Sequence, residues 1–306
     1  MDLTARTKDA RSAHHGRNLW YWTMGKRIKF SNGRRLVEDI IHVANRTPLA
    51  GFVADQDAGL VAKFRRYSRP KISWNVLYMK AYAIVCKRDA TLRRAYVGFP
   101  WSYLYEHDKN VCMMTIAREY EGEERLFFAR FNSPEESTLV ELQERFDHYR
   151  RAPIGEIKQF RHQVNFAKAP RFARRFAWWA LANLWPKKRA SHMGTFGMSI
   201  SGNKGCYGVS HHLGPATTTL GVDPFPKKGI SKIVMTFDHR VMDGAPVTRA
   251  MQKMHRVLTT DIKVELAELT GFHAETGEKL SDIELAEFKR NQRLRRIETN
   301  RKRHAA

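Results

Sequence analysis

The fold is decided by one stretch of the chain, Ile233-Val234-Met235-Thr236-Phe237-Asp238-His239-Arg240-Val241-Met242-Asp243-Gly244. Its first half is rich in β-branched and aromatic residues, which is typical of a buried strand, and the Asp-Gly pair at its end favours a turn. The apolar residues that follow, from Ala245 to about Leu258, have helical spacing. The pattern therefore predicts a strand, a short turn and a helix, with His239 at the strand end.

A histidine in this position has two interpretations. A side chain between two rigid elements can be held in one rotamer with one ring nitrogen fixed by a partner, which a general base requires. A lone histidine at a strand end more often does no more than cap the strand. His239 is not alone, because Asp238 precedes it and Asp243 and Gly244 follow it at a spacing that carries a resemblance.

The order Asp238-His239-Arg240-Val241-Met242-Asp243-Gly244 closely resembles the signature of the dihydrolipoamide acyltransferases, the catalytic cores of 2-oxo acid dehydrogenase complexes, and of chloramphenicol acetyltransferase. In that superfamily the histidine is the general base that takes a proton from a thiol or hydroxyl as it attacks an acyl thioester. The resemblance implies this role for His239 and makes Asp243 an organiser of the loop. It also implies an α+β (mixed α/β) fold, a mixed sheet with flanking helices.

Two further segments resemble that superfamily. Met198-Ser199-Ile200-Ser201 matches a strand whose serine hydroxyl binds the oxyanion of the tetrahedral intermediate; the match favours Ser201 and leaves Ser199 open. A helix is predicted to begin at Ser31 or Asn32, and the resemblance offers Arg34 or Arg35 as the partner of Asp243. A solvated basic face at the start of a helix explains the two arginines equally well.

The resemblance covers residues 30–155 and 193–260. We therefore predict an N-terminal arm at 1–29, an acyltransferase domain at 30–260 with an insert at 158–190, and a basic helical tail at 261–306. Hydrophobic patterning in the first part of that domain predicts these elements: a strand at Leu49–Asp55, helices at Ala58–Tyr67 and Ile72–Lys87, a three-strand meander within 103–131, and a helix that Pro134 opens and that ends near Arg150.

The composition limits the function classes. Cys86, Cys112 and Cys206 are scattered, which disfavours a disulfide scaffold or a zinc site, so we expect no metal and a reducing, cytoplasmic compartment. No window approaches the roughly 18 apolar residues of a membrane span. The net charge of +23 demands an anionic partner. No nucleic-acid recognition motif accompanies that charge, so nucleic acid is the less favoured partner.

The insert at 158–190 carries nine lysines and arginines and no acidic residue. Aromatic residues stand between the charges in a predicted helix that Pro170 opens and Pro186 ends. This mixture suits an anionic membrane interface on the inner face of the membrane; docking of the aromatic face onto the protein's own core is the alternative. The candidate membrane or anion contacts are Arg171, Arg174, Arg175, Trp178, Trp179, Trp185, Lys187 and Lys188.

These observations predict an acyltransferase without a lipoyl domain of its own. Its donor would be a coenzyme A thioester or an acyl carrier protein thioester, and its acceptor a hydroxyl, amine or thiol. The membrane interpretation of the insert favours a lipid-linked acceptor. The resemblance implies a homotrimer, or a multiple of one, with each site between two chains. Two alternatives stay open: a dihydrolipoamide acyltransferase that uses a lipoyl domain in trans, and a non-catalytic scaffold or nucleic-acid-binding protein on the same fold.

Overall fold

The computed structural model describes residues 26, 28, 30–199, 216–222, 229–281, 283–287 and 290–291. Within these residues the chain alternates between helices and strands, as the sequence predicts for a mixed α/β fold. It divides into Met1–Ser31, of which little is described, and Asn32–Ala306, which contains every element given below. The predicted oxyanion residue Ser201 and the third cysteine, Cys206, lie outside the described residues.

Eight strands have the bounds β1 Leu49–Asp57, β2 Arg94–Val97, β3 Tyr103–Glu106, β4 Val111–Tyr120, β5 Glu123–Asn132, β6 Phe196–Ser199, β7 Thr218–Val222 and β8 Ile230–Asp238. Nine α-helices have the bounds α1 Asn32–Ala44, α2 Gly59–Tyr67, α3 Trp74–Arg88, α4 Leu139–Arg151, α5 Lys158–Lys168, α6 Arg171–Asn183, α7 Pro186–Met193, α8 Gly244–Val257 and α9 Lys263–Thr270. These counts refer to the described ranges alone.

Six strands form one mixed sheet in the order β1-β8-β7-β6-β4-β5. Strands β4, β6 and β7 are parallel, and the outer pairings, β1 with β8, β7 with β8 and β4 with β5, are antiparallel. The predicted three-strand meander is wrong in one respect: β3 pairs with β2 in a separate two-stranded sheet and not with β4. Strand β2 is only four residues long, which is too short for an alternating pattern to reveal it.

The two faces of the six-stranded sheet bury different sets of side chains. Alternate residues such as Phe196, Met198 and Phe237 point into the main core, which α3 and α8 complete. The opposite face is covered over β4 and β5 by α1, α5 and α6, and a smaller apolar cluster with Met113 and Phe128 lies there. The main core also receives Leu266 and Ala267 of α9, so it extends past residue 260, where the basic tail was predicted to begin.

The insert folds as three helices, α5, α6 and α7. The predicted bounds of α6 hold, because Pro170 stands before its first residue and Pro186 opens the next helix. No helix among the described residues is long and apolar enough to cross a membrane. The helix predicted to begin at Pro134 begins instead at Leu139, because Thr138 and Glu141 form a reciprocal capping box; Pro134 starts a separate 3-10 turn.

Candidate active site

His239 lies in the tight turn between β8 and α8, where the sequence predicts it. Its backbone N–H donates to the carbonyl of Pro48 at 3.0 Å, which joins the turn to the start of β1. The N–H of Asp238 donates to Thr217 at the start of β7 at 2.9 Å, and the N–H of Val241 closes the turn onto Asp238 at 3.0 Å. Backbone from three segments therefore holds the histidine, and its side chain stays half-exposed.

Asp243 faces the histidine. Its Oδ1 lies 3.4 Å from His239 Nδ1, a distance for an ion pair and somewhat longer than an ordinary hydrogen bond. Asp243 occupies the N-cap of α8, yet among the described residues its carboxylate accepts no capping hydrogen bond. The carboxylate therefore acts on the histidine and not on the helix. A proton held on Nδ1 by Asp243 leaves Nε2 as the basic nitrogen.

Asp238 and Arg240 fix the backbone on both sides of His239. The carboxylate of Asp238, which is buried, accepts from Arg240 Nε at 2.9 Å, from Arg240 Nη2 at 2.7 Å and from the Arg240 backbone N–H at 3.0 Å. The guanidinium also lies 4.2 Å above the ring of Tyr96, close enough for a cation–π contact. Sequence reasoning included Asp238 as a supporting residue but assigned no role to Arg240 or Tyr96.

A second arginine reaches the same turn from the insert. Arg189 of α7 is almost fully buried and donates through Nη1 to the carbonyl of Tyr96. Its pKa is lowered to about 10, chiefly by burial and to a smaller extent by nearby Arg240, while the carboxylate of Asp238 opposes this lowering, so the side chain stays charged at neutral pH. Two guanidinium groups thus share the field of one buried carboxylate. Only the three-dimensional fold brings α7 under the His239 turn; nothing in the local sequence indicates it.

Ser199 lies far from His239 within one chain. It ends β6 on the sheet face opposite Phe196 and Met198, and its Oγ accepts from Thr115 Oγ1 at 3.3 Å. Ser199 is level with Gly221 of β7 and Val234 of β8, so two strand spacings and five residues separate it from His239. Standard strand dimensions make that roughly 18 Å. One chain therefore does not bring Ser199 and His239 together, and Ser201 lies outside the described residues.

Arg34 and Arg35 are also remote from Asp243 in one chain. They stand in the first turn of α1, and a Cβ on the neighbouring Gly33 would lie 2.8 Å from the side chain of Arg125 on β5. Strand β5 is one edge of the sheet, and β1, with β8 beside it, is the other. The His239 turn contacts Pro48, which follows the C-terminal end of α1. The chain does not pair Arg34 or Arg35 with Asp243, because the two ends of α1 are about 20 Å apart.

The basic residues of the insert are partly neutralised by α1. Arg174 forms a buried ion pair with Asp39, with Nε 2.5 Å from Oδ2, and Arg171 and Arg175 approach Glu38 at 2.5 and 3.5 Å. Arg174 is therefore a docking residue and does not contact a membrane or a soluble anion, which corrects the prediction. The prediction was wrong because the insert itself contains no acidic residue, and the carboxylate partners of its arginines are about 135 residues earlier in the chain.

The aromatic residues of the insert divide between two faces of α6. Trp178 lies on the inner face against Phe166, which corrects its prediction as a membrane contact. Trp179 is half-buried, between Phe99 at 5.5 Å and Phe176 at 5.9 Å. The exposed Phe99, Phe172 and Phe176, together with the half-buried Trp179, form an aromatic outer ridge. Trp185, with Lys188 over its ring, and the exposed Lys187 lie just beyond the end of α6.

The described residues contain no group of three or more His, Cys, Asp or Glu side chains placed to hold a metal ion. What the turn offers is a half-exposed imidazole with a carboxylate facing its Nδ1. That arrangement can take a proton from an acceptor as it becomes a nucleophile.

Comparison with solved structures places this geometry on a known fold. A probable dihydrolipoamide acetyltransferase from Listeria monocytogenes matches 84% of this chain and 99% of its own, with 15% identity and a TM-score of 0.54. The dihydrolipoamide acetyltransferase of Azotobacter vinelandii matches 79% of this chain and 93% of its own, with 16% identity and a TM-score of 0.55. The cubic core of a pyruvate dehydrogenase complex matches 81% of this chain and 98% of its own, with 15% identity and a TM-score of 0.52.

The chain has the fold of the dihydrolipoamide acyltransferase catalytic cores. The resemblance seen in the sequence is thus confirmed for the fold. No protein family and no curated protein matches the chain by sequence. At identities of 15–16% the likeness extends to the fold alone, and the activity has to be argued from the site.

Proposed function

We propose that this protein is an acyltransferase that moves an acyl group from a coenzyme A or carrier-protein thioester to a hydroxyl, amine or thiol. One observation carries the proposal: the half-exposed His239 faces Asp243 through Nδ1 in a turn that four backbone and side-chain anchors hold. In the Azotobacter enzyme, a histidine and an asparagine four residues later have been examined for their role in catalysis. His239 and Asp243 have the same spacing.

The reaction follows from these groups. The acceptor attacks the thioester carbonyl carbon while His239 Nε2 takes its proton, and the negative charge moves to the carbonyl oxygen. A serine hydroxyl from the β6 segment, Ser201 or Ser199, donates to that oxyanion; loss of one such donor typically costs about 3 kcal/mol of barrier. The intermediate then expels the thiolate, which takes the proton back from the imidazolium.

We propose that the complete site forms between two chains of a homotrimer or a multiple of one. The roughly 18 Å between Ser199 and His239 in one chain supports this, because a base and an oxyanion donor must both lie within hydrogen-bonding reach of the same carbonyl. Strand β1 offers an interface, since among the described residues it pairs with β8 alone and exposes Leu49, Phe52 and Val53. One of the similar structures is itself a cubic assembly.

We further propose that the enzyme is peripheral on an anionic membrane and that its acceptor is lipid-linked. The outer ridge on α6 and the nearby Lys187 and Lys188 support this part, because exposed aromatic rings beside cations suit a headgroup layer. The formal net charge of +23 adds a long-range attraction for such a surface.

One experiment tests the chemistry. His239→Asn should lower acyl transfer from acetyl-CoA to a short thiol or alcohol by at least a hundredfold without loss of fold, because it removes the base and leaves the core unchanged. His273→Asn is the matched control, since His273 is an exposed histidine that faces Glu284 at 3.5 Å, as His239 faces Asp243 at 3.4 Å. Equal activity of the two variants would remove His239 from the mechanism.

The same assay separates the alternatives. If wild-type protein transfers from acetyl-CoA only to dihydrolipoamide, or from a separate lipoylated domain, it is a dihydrolipoamide acyltransferase acting in trans. Transfer to other hydroxyls, amines or thiols supports the broader assignment. No transfer with any donor, together with salt-sensitive binding to nucleic acid, would support a non-catalytic binding protein.

A further inference from the structure

A cavity of about 890 Å³ lies between the insert and the outer face of β4 and β5. It is separate from the His239 turn, and none of the residues that line it belongs to that turn. Its size is that of pockets that take ligands of a few tens of atoms. Three insert helices, α5, α6 and α7, form most of its wall, and α1 closes one side.

The inner end of the cavity is apolar and buried. Leu36 and Ile40 of α1, Met113 of β4 and Phe128 of β5 line it, and each of these side chains is less than a tenth exposed. Protein interiors are close-packed, so an apolar space this large beside buried side chains favours an apolar occupant over water.

The polar part of the cavity lining has an excess of positive charge. Lys158, His162 and His192 are exposed, with Glu156 as the carboxylate among them. Lys158 forms no ion pair with the described residues, whereas Arg130, deeper in the wall, donates to the carbonyl of Ser191 at 2.6 Å. Two permanent cations and one carboxylate favour an anionic headgroup.

Trp178 supplies a second, independent sign of a ligand. Its ring forms part of the cavity wall, and its indole N–H is buried without a hydrogen-bond partner in the described part of the chain. A buried donor without a partner is costly, and such donors are usually satisfied by a group that is present when the protein functions. An ester, carboxyl or phosphate oxygen of a bound ligand would satisfy this one.

We propose that this cavity binds a single long acyl chain with an anionic headgroup. The chain lies against Met113 and Phe128, an oxygen near the start of the chain accepts from Trp178 Nε1, and the headgroup lies at Lys158. The choice of an acyl chain rests on the proposed acyl transfer. The outer ridge and the cavity lie on opposite faces of α6. One face of this helix would therefore contact the bilayer, and the other would line the cavity that takes the acyl chain.

Calorimetric titration of the full-length protein tests the inference. We expect dodecanoate and dodecyl phosphate to bind with one site per chain, and dodecyltrimethylammonium, which has the same tail and the opposite charge, to bind at least tenfold more weakly. Equal affinity for all three would overturn the anionic headgroup. No binding of the two anions would overturn the site.

Two variants narrow the cavity from its α6 wall, Ala177→Phe and Leu181→Trp. Each should weaken dodecanoate binding at least tenfold, whereas Phe176→Trp, which enlarges a ring on the exposed side of the same helix, should leave it unchanged. Trp178→Phe keeps an aromatic ring, although a smaller one, and removes the N–H, so it should weaken dodecanoate binding about tenfold. Wild-type affinity in both narrowed variants, with folding confirmed by circular dichroism, would contradict the assignment.

Two ligands identify the source of the chain. Tighter binding of dodecanoyl-CoA than of lysophosphatidylglycerol makes the occupant the donor's acyl chain, and the reverse order makes it a membrane lipid. Failure of this inference is distinct from failure of the proposed function: Ala177→Phe should still transfer acetyl groups to a short acceptor. If the protein bound an acyl chain but had no transferase activity, the proposed function would be wrong and the binding site would stand.

Discussion

Asp238 and Asp243, the two carboxylates beside His239, differ in burial and should therefore differ in role. Asp238 is buried against Arg240 and within the field of Arg189, so Asp238→Asn leaves two guanidinium groups without their carboxylate. Breaking a buried pair in this way typically costs about 3 kcal/mol. We expect urea denaturation of Asp238→Asn to show a loss of that size in the free energy of unfolding.

Asp243→Asn is the isosteric counterpart of that change. Asp243 is exposed, and asparagine can still accept from His239 Nδ1, so the free energy of unfolding should change by less than about 0.5 kcal/mol. The lost negative charge no longer stabilises the imidazolium, and an exposed pair of this kind contributes up to about 1 kcal/mol. Turnover should fall about fivefold. The opposite result, an unstable Asp243 variant beside a stable Asp238 variant, would reverse the two roles.

His107 should make the stability of the protein depend on pH. Burial, together with the nearby Arg189, lowers the pKa of this imidazole from 6.5 to about 4. The unfolded chain takes up a proton as the pH falls through 6.5, and the folded chain does not do so until about pH 4. Stability is therefore complete above pH 6.5 and decreases between 6.5 and 4, by roughly 2 to 3 kcal/mol from this group.

The measurement compares urea unfolding of wild type and His107→Gln at several pH values. Because glutamine does not titrate, the difference in unfolding free energy between the two proteins should change by that amount across the window and stay constant above pH 7. A constant difference from pH 7 to pH 4 would show that His107 has the same pKa in the folded and the unfolded chain.

At the scale of elements, the ends of the insert helices were predicted well and their surroundings were not. Pro170 and Pro186 mark the bounds of α6 in the sequence itself, because proline acts on the local backbone. The partners of α6 are Glu38 and Asp39 of α1, and no local pattern connects them to Arg171 or Arg174. Sequence reasoning therefore left docking and membrane contact open, and the fold shows that α6 docks by one face.

The edge strand β5 is also stabilised by residues that are distant in the sequence. Gln163 Oε1 accepts from the backbone N–H of Phe128 at 3.0 Å, and Gln159 Oε1 accepts from that of Arg130 at 3.1 Å. Both side-chain amides donate to the carbonyl of Phe128 at 2.7 Å. Helix α5 thus satisfies an edge strand through side chains. A glutamine in a helix has no sequence signature for this role, so it could not have been predicted.

The outer face of α6 gives a prediction at this scale. Phe172→Ala with Phe176→Ala should weaken binding to vesicles of phosphatidylglycerol at least tenfold, because two rings are lost from the headgroup layer while the docking pairs stay intact. Val264→Ala with Ile283→Ala removes exposed apolar side chains elsewhere and is the matched control. Sedimentation with vesicles measures both. Equal retention by the two double variants would remove the membrane from the proposal.

At the scale of the whole molecule, the two edges of the sheet are unequal. The β5 edge is closed by α5, whereas β1 exposes Phe52 and Val53 and, among the described residues, pairs on one side only. Association of chains through the β1 side would bring foreign residues towards the Pro48–His239 contact, since His239 is anchored to the start of that strand. The open edge and the His239 turn are thus on the same side of the sheet.

Complementation between chains tests this arrangement. His239→Asn and Ser201→Ala chains should each be nearly inactive alone. After mixing in equal amounts and exchange of subunits, an interface that combines an intact His239 from one chain with an intact Ser201 from its neighbour arises about once in four, so about a quarter of wild-type activity should return. If both residues acted within one chain, mixing would restore nothing.

The control for this experiment is a chain that carries both substitutions. Mixed with either single variant it cannot form an intact interface, so activity should stay at the level of the single variants. Repeating the series with Ser199→Ala decides between the two serines, because only the residue that binds the oxyanion can be complemented by His239→Asn. A Ser199 variant that is rescued beside a Ser201 variant of wild-type activity would move the oxyanion role to Ser199, within the described end of β6.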